Sequence, residues 1–204
     1  MLVLTVDQVD SRGRGDRLAA LLPDLARRWD GALVLGPDRT AGDEFQAVLR
    51  NADAALDVAL ELLRDTGWSV GMGVGPVDSP LPATTREATG PAFVAARAAV
   101  TEAKRSPHRF ALVAEPASSA AVDADGLSAL LDLLLELRDR RTPEGWEVAD
   151  RLADGATQSA VAADLGISPQ AVSLRARTAG VRIEQRARPV LAGLLAGLDV
   201  AASA

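Results

Sequence analysis

The chain has 204 residues, enough for one large domain or two small ones, and 48% of them are hydrophobic, enough to bury a core. Its 28 acidic and 22 basic side chains leave a formal net charge of −6, so the surface as a whole does not attract nucleic acid and any DNA contact must be local. The lack of cysteine excludes disulfides, thiolate metal sites and cysteine nucleophiles, and with no Tyr, three Phe and three Trp the core must be built mainly from Leu, Val and Ala.

The opening "MLVLTVDQVD" reaches an acidic residue too soon for a signal peptide. No apolar run approaches the roughly 18 residues that span a bilayer, since the longest, "LLDLLLEL", is broken by Asp132 and Glu136. The expectation is a cytoplasmic protein with no membrane partner.

Within residues 1–120, "LVLTV" has the length and branching of a buried strand, and "GDRLAALLPDLARRW" repeats Leu18, Leu21, Leu22 and Leu25 at helical spacing. "GALVLG" and "EFQAVLR" read as two strands joined by "GPDRTAGD". "ADAALDVALELLRDTG" is a helix with Gly67 just past its end. "WSVGMGVGPV" is a strand whose glycines at 71, 73 and 75 admit close approach of backbone or ligand. "GPAFVAARAAVTEAKR" is a helix opened by Gly-Pro, and "RFALVAE" is a last strand. The order β-α-β-β-α-β-α-β predicts an α+β domain of ferredoxin-like pattern with an added helix and strand, its antiparallel sheet covered by helices on one face.

Around residues 115–126 the chain turns small and acidic, and after it, in residues 121–204, helix follows helix. Local charge changes sign as well: between Ala171 and Pro189 stand five Arg (175, 177, 182, 186, 188) and one Glu (184). Residues 158–179 carry a helix-turn-helix pattern. Ala162 is small enough for two helices to cross closely, Gly166 allows the tight turn, and Val172 closes the angle, with Val161, Leu165 and Ile167 completing the core. Ser168 caps the second helix and Pro169 fits its first position. Ser168, Gln170 and Ser173 then stand at the end that reaches base edges, while Arg175, Arg177 and Arg182 suit phosphates. Double-stranded DNA is the partner this implies. A homodimer would match paired half-sites, with the Leu191, Leu194, Leu195, Leu198 stripe and the Leu127, Leu130, Leu131, Leu134, Leu135 stripe as equal candidates for its contact. The first stripe could equally cover the small domain.

Asp7 ends the first predicted strand and Asp43 lies in the turn before "EFQAVL". On neighbouring strands the two carboxylates would meet at one sheet edge, a setting for a hard cation such as Mg²⁺. Asp10 and Glu44 are supporting candidates, and solvation of turns is the plainer role for any one of these acids. His108 reads as a loop residue, and Trp29, Trp68 and Trp146 as core or edge residues.

The spaced set "VDQVDSR", "GDEFQAVL", "GMGVGPV" and "GPAFVAARAAVTEAKR" resembles the SatD family of bacterial proteins. The N-terminal region of that family is similar to the catalytic domains of class III nucleotidyl cyclases and, more distantly, of GGDEF diguanylate cyclases. The resemblance covers residues 1–112, and family members with a C-terminal helix-turn-helix resemble the rest. It implies Asp7 and Asp43 as metal carboxylates for Mg²⁺ with a purine nucleotide, and Arg39, Glu44 and Arg97 as nucleotide-binding residues. Arg39 stands where adenylyl cyclases place a base-reading Lys, and Arg97 where an arginine stabilises the transferring phosphate. Phe93 occupies the place of the Asn that orients the ribose, the segment from Gly90 to Arg97 is one residue short, and Glu87 falls near the purine-selecting acid. Small placement errors cost large rate factors in such a reaction.

The resulting expectation is a sequence-specific transcription regulator whose cyclase-like domain has lost catalysis and senses a nucleotide or dimerises. The alternative is an active nucleotidyl cyclase or nucleotidyltransferase controlled by the helical domain, and a third reading makes the N-terminal domain a dimerisation scaffold.

Overall fold

A computed structural model describes residues 1–10, 16–40, 42–115 and 123–203. Ala41 and most of the expected boundary at 115–126 lie outside the described residues. The chain divides into two compact units, Met1–Leu130 with Leu191–Ala204, and Leu131–Val190. It is a mixed α and β protein, and among the described residues no helix is long and apolar enough to cross a membrane.

The first unit contains β1 (Leu2–Gln8), α1 (Leu18–Arg28), β2 (Leu33–Arg39), β3 (Glu44–Leu49), α2 (Ala52–Leu62), β4 (Trp68–Val74), α3 (Pro91–Ala103) and β5 (Phe110–Ala114). The five strands lie in the order β2-β3-β1-β4-β5. β1 is central and reads as a continuous apolar run because both its faces are covered: Leu2, Val3, Leu4, Thr5 and Val6 are at most 1% exposed.

Two expectations about this sheet are corrected. It is mixed rather than antiparallel, because α3 crosses over between β4 and β5 and returns the chain parallel to β4. Helices also cover both faces rather than one. The register sets Val3, Thr5 and Asp7 beside Gly73, Gly71 and Ser69 on one face, and Leu2, Leu4 and Val6 beside Val74, Met72 and Val70 on the other. On the first face a Cβ at Gly71 would lie 2.1 Å from the Val100 nitrogen, and one at Gly73 would lie 2.2 Å from the Ala92 carbonyl. The glycines therefore form a groove that α3 fills with its own backbone, helped by its buried alanines 92, 95, 96 and 99. Trp68 belongs to the opposite face, where it shares a cleft with Leu21 and Leu25 of α1 and Leu62 of α2. Phe45 meets it edge-on at 6.3 Å between ring centroids. Asn51 caps α2 by accepting from the Ala54 N–H at 2.9 Å.

The chain continues through α4 (Ala124–Asp139), α5 (Pro143–Ala153), α6 (Gln158–Leu165), α7 (Pro169–Thr178) and α8 (Val181–Ala202). The second unit takes α5, α6 and α7 whole, together with parts of α4 and α8. Three helices in it open on a hydroxyl cap: Thr142, Thr157 and Ser168 accept from the N–H groups of Gly145, Ala160 and Ala171. Each such cap contributes about 1 kcal/mol. Val148, Ala149, Val161, Ala162, Val172, Ala176, Ala179 and Val181 form one buried cluster, with Leu152, Leu165 and Ile167 packed against it. Within the first unit, Leu191, Leu195 and Leu198 of α8 and Leu127 of α4 are buried inside the chain itself.

Candidate functional site

α6 and α7 are joined by the short turn Gly166–Ser168. Gly166 ends α6 in the left-handed conformation at φ 63°, which a glycine adopts without strain. Ser168 then caps α7 with Pro169 at its first turn. One face of α7, Val172 and Ala176, is buried in the cluster that also holds Val161 and Ala162. The other face, Gln170, Ser173, Leu174 and Arg177, follows the i, i+3, i+4, i+7 spacing of a single helical stripe and is exposed throughout.

The basic side chains assigned to phosphates divide in two. Arg177 and Arg182 are exposed, whereas Arg175 is half-buried, with its guanidinium 3.9 Å from Glu147. Ser168 spends its hydroxyl oxygen on the cap, leaving its hydroxyl hydrogen for another partner.

Behind this surface lies an ionic network that the sequence did not reveal. Glu184, 7% exposed, binds Arg138 through one carboxylate oxygen and Arg141 through the other. Arg141 also donates from Nε to the Ala179 carbonyl at 2.7 Å. Both guanidiniums lie over Trp146, at 4.7 and 4.6 Å from its ring centroid. Burial pulls the Arg138 pKa below the usual guanidinium value, and the Glu184 carboxylate opposes that shift. The one acid in the basic segment is thus neutralised internally, while Arg177 and Arg182 are exposed at the surface. The signal available in the sequence was Arg138 and Arg141, three residues apart, next to Trp146.

The acidic edge of the sheet is also built from identifiable parts. In the register, the residue opposite Asp7 is Glu44, and Asp43 lies one position further into the turn. Asp43 accepts the Gln8 N–H on its backbone carbonyl at 3.1 Å. Arg97 of α3 and Lys104, the residue at the C-terminal cap of that helix, stand seven residues apart and so on one side of it, beside these acids. Lys104 Nζ lies 2.8 Å from Asp7 Oδ1, and Arg97 lies 3.8 Å from Glu44 Oε1. Thr40 donates to the same Glu44 oxygen at 2.7 Å. Both cations are well exposed, so these pairs contribute at most about 1 kcal/mol each and can be exchanged for a ligand's charges.

Arg39 is held by Asp16 at 2.7 Å and by the Gly42 carbonyl. Asp10 is exposed with φ 54°, and Glu87 is exposed in the turn Thr85–Glu87. Phe93 lies in the core with Val3, Leu35, Val48 and Ala96. Asp7, Glu44 and Arg97 are thus brought together, while Arg39 is engaged with Asp16. Among the described residues no group of three or more His, Asp or Glu side chains is arranged to hold a metal ion.

No protein-family model matches the chain, and no curated protein is significantly similar to it.

Proposed function

We propose that the protein is a sequence-specific DNA-binding transcription regulator, with α6 and α7 as its helix-turn-helix. The observation that carries this reading is the exposed stripe Gln170, Ser173, Leu174, Arg177 on a capped helix whose opposite face is fully packed. Gln170 and Ser173 read base edges, and Arg177, Arg182 and Arg175 contact the phosphate backbone. Two copies acting as a homodimer would read paired half-sites.

The sheet unit is ferredoxin-like in this account, since β1 to β4 take the order β2-β3-β1-β4 with every neighbour antiparallel, and β5 is an addition. In line with the SatD resemblance, it serves as a nucleotide-sensing or dimerising domain. Arg39, Glu44 and Arg97 would face a purine nucleotide. Asp7 and Asp43 would hold a Mg²⁺ ion, which when bound supplies positive charge to the phosphates. Phe93 supports a role without catalysis, because a core phenylalanine offers no hydrogen bond to a ribose.

Two substitutions test the DNA reading. Arg177→Ala should weaken binding to all duplexes and lower the slope of affinity against salt by about one. Gln170→Ala should relax preference at one base position by roughly 1–3 kcal/mol and leave the salt slope intact. Equal effects of both variants on every duplex would contradict these roles.

A further inference from the structure

The recognition stripe on α7 contains one residue that phosphate contact and hydrogen-bond readout leave unexplained. Leu174 is 54% exposed at the middle of that stripe, one turn beyond Gln170 and one turn before Arg177. Nothing in folding requires it there, since the packed face of the same helix is complete with Val172 and Ala176. Its neighbours include cations: Arg177 shares its stripe, and Arg140, paired with Glu136, and Arg175, 3.9 Å from Glu147, border with Leu174 a cleft of about 210 Å³. A cationic, hydrogen-bonding stripe with an apolar centre is complementary to one surface above others, a polyanion whose edges are polar but carry an isolated methyl. The major groove is such a surface, because thymine alone among the four bases displays a C5-methyl there.

We infer that Leu174 is a specificity-determining residue that packs against the methyl group of a thymine in the bound site. This inference rests on the helix-turn-helix reading and adds to it the identity of one base. Four residues separate Leu174 from Gln170, a rise of about 6 Å along the helix. With bases about 3.4 Å apart along a strand, the thymine lies within about two base pairs of the base that Gln170 reads.

The test uses the full chain. Duplexes are enriched from a random pool, and each thymine in the enriched site is replaced singly by deoxyuridine, which removes only the methyl. One replacement should weaken binding about fourfold, the effect of leaving one methyl group unburied. Leu174→Ala should bind the thymine duplex more weakly and show no further loss with deoxyuridine at that position. Leu174→Gln, which keeps the side chain's length, should lose the discrimination likewise. Both variants should melt as the parent does, because the side chain is more than half exposed.

A methyl effect of the same size in Leu174→Ala, or none at any thymine, overturns the assignment. If Leu174→Ala changes the oligomeric state in sedimentation and leaves affinity for every duplex unchanged, the residue faces a protein chain instead. Failure of the full chain to enrich any sequence defeats the DNA reading itself and this inference with it, an outcome distinct from enrichment with no methyl effect.

Discussion

Replacing Glu184 by Gln removes the carboxylate that binds both guanidiniums of Arg138 and Arg141, each of which is 8% exposed. Gln has the same shape, so the packing against Trp146 and the Arg141 hydrogen bond to Ala179 survive, but two positive charges are left buried beside an amide. Breaking a buried ion pair from one side costs about 3–5 kcal/mol. The helical unit runs from Leu131 to Val190, 60 residues, and at roughly 0.05–0.15 kcal/mol per residue its whole stability is about 3–9 kcal/mol. The variant should therefore lose most of the amide protection in α5, α6 and α7, measured by hydrogen exchange with mass spectrometry. Glu147→Gln is the control. Its side chain is 42% exposed and its pairs with Arg151 and Arg175 are long, at 3.7 and 3.9 Å, so protection should change by less than about 0.5 kcal/mol. The triple replacement of Arg138, Arg141 and Glu184 by Met, Met and Leu should retain more protection than Glu184→Gln, because no charge remains buried. A loss below about 1 kcal/mol in Glu184→Gln would refute the argument.

Three further outcomes are expected. Gly73→Ala places a Cβ 2.2 Å from the Ala92 carbonyl and 2.3 Å from the Ala96 nitrogen, so α3 must move and chemical denaturation should show a loss of about 3 kcal/mol. Gly166→Val has open space around it and meets only the cost of a left-handed φ, about 1–2 kcal/mol, visible as a lower melting temperature of the helical unit. The hydrogen bond from Arg39 holds the Asp16 carboxyl below its ordinary 3.8. That tie is fully present above the ordinary value and is lost as pH falls through the lowered one. Arg39→Ala should return the Asp16 titration, followed by NMR, to the ordinary carboxylate range; an unchanged titration would show that Arg39 is not its cause.

The helix pair α6 and α7 was legible because its signals are local. Gly166, Ser168 and Pro169 each act through their own backbone, and Ala162 and Val172 are fixed in spacing by the turn between them. The sheet was legible as a succession of elements. Its layering was not, because a glycine in a strand admits a ligand or a helix equally, and only the register reveals that 71 and 73 face α3. Strand direction at β5 depends on the crossover of α3, which pairing alone reveals. The burial of Glu184 was not legible because its partners lie more than forty residues away. Leu174 carries no signal of its own in the sequence, and only its exposure sets it apart from the packed face of α7. At the acidic edge the sequence named Asp7 and Asp43 with Glu44 in support, and the register sets Glu44, the first residue of β3, opposite Asp7.

In the proposed function the helical unit reads DNA sequence. Its most direct test is the affinity of the full chain, at about 150 mM salt, for an enriched duplex against a shuffled duplex of the same length and composition. A sequence-reading unit should show a preference of roughly 10³-fold or more, the range of specific over non-specific protein–DNA binding. Equal affinity for the two duplexes would contradict it.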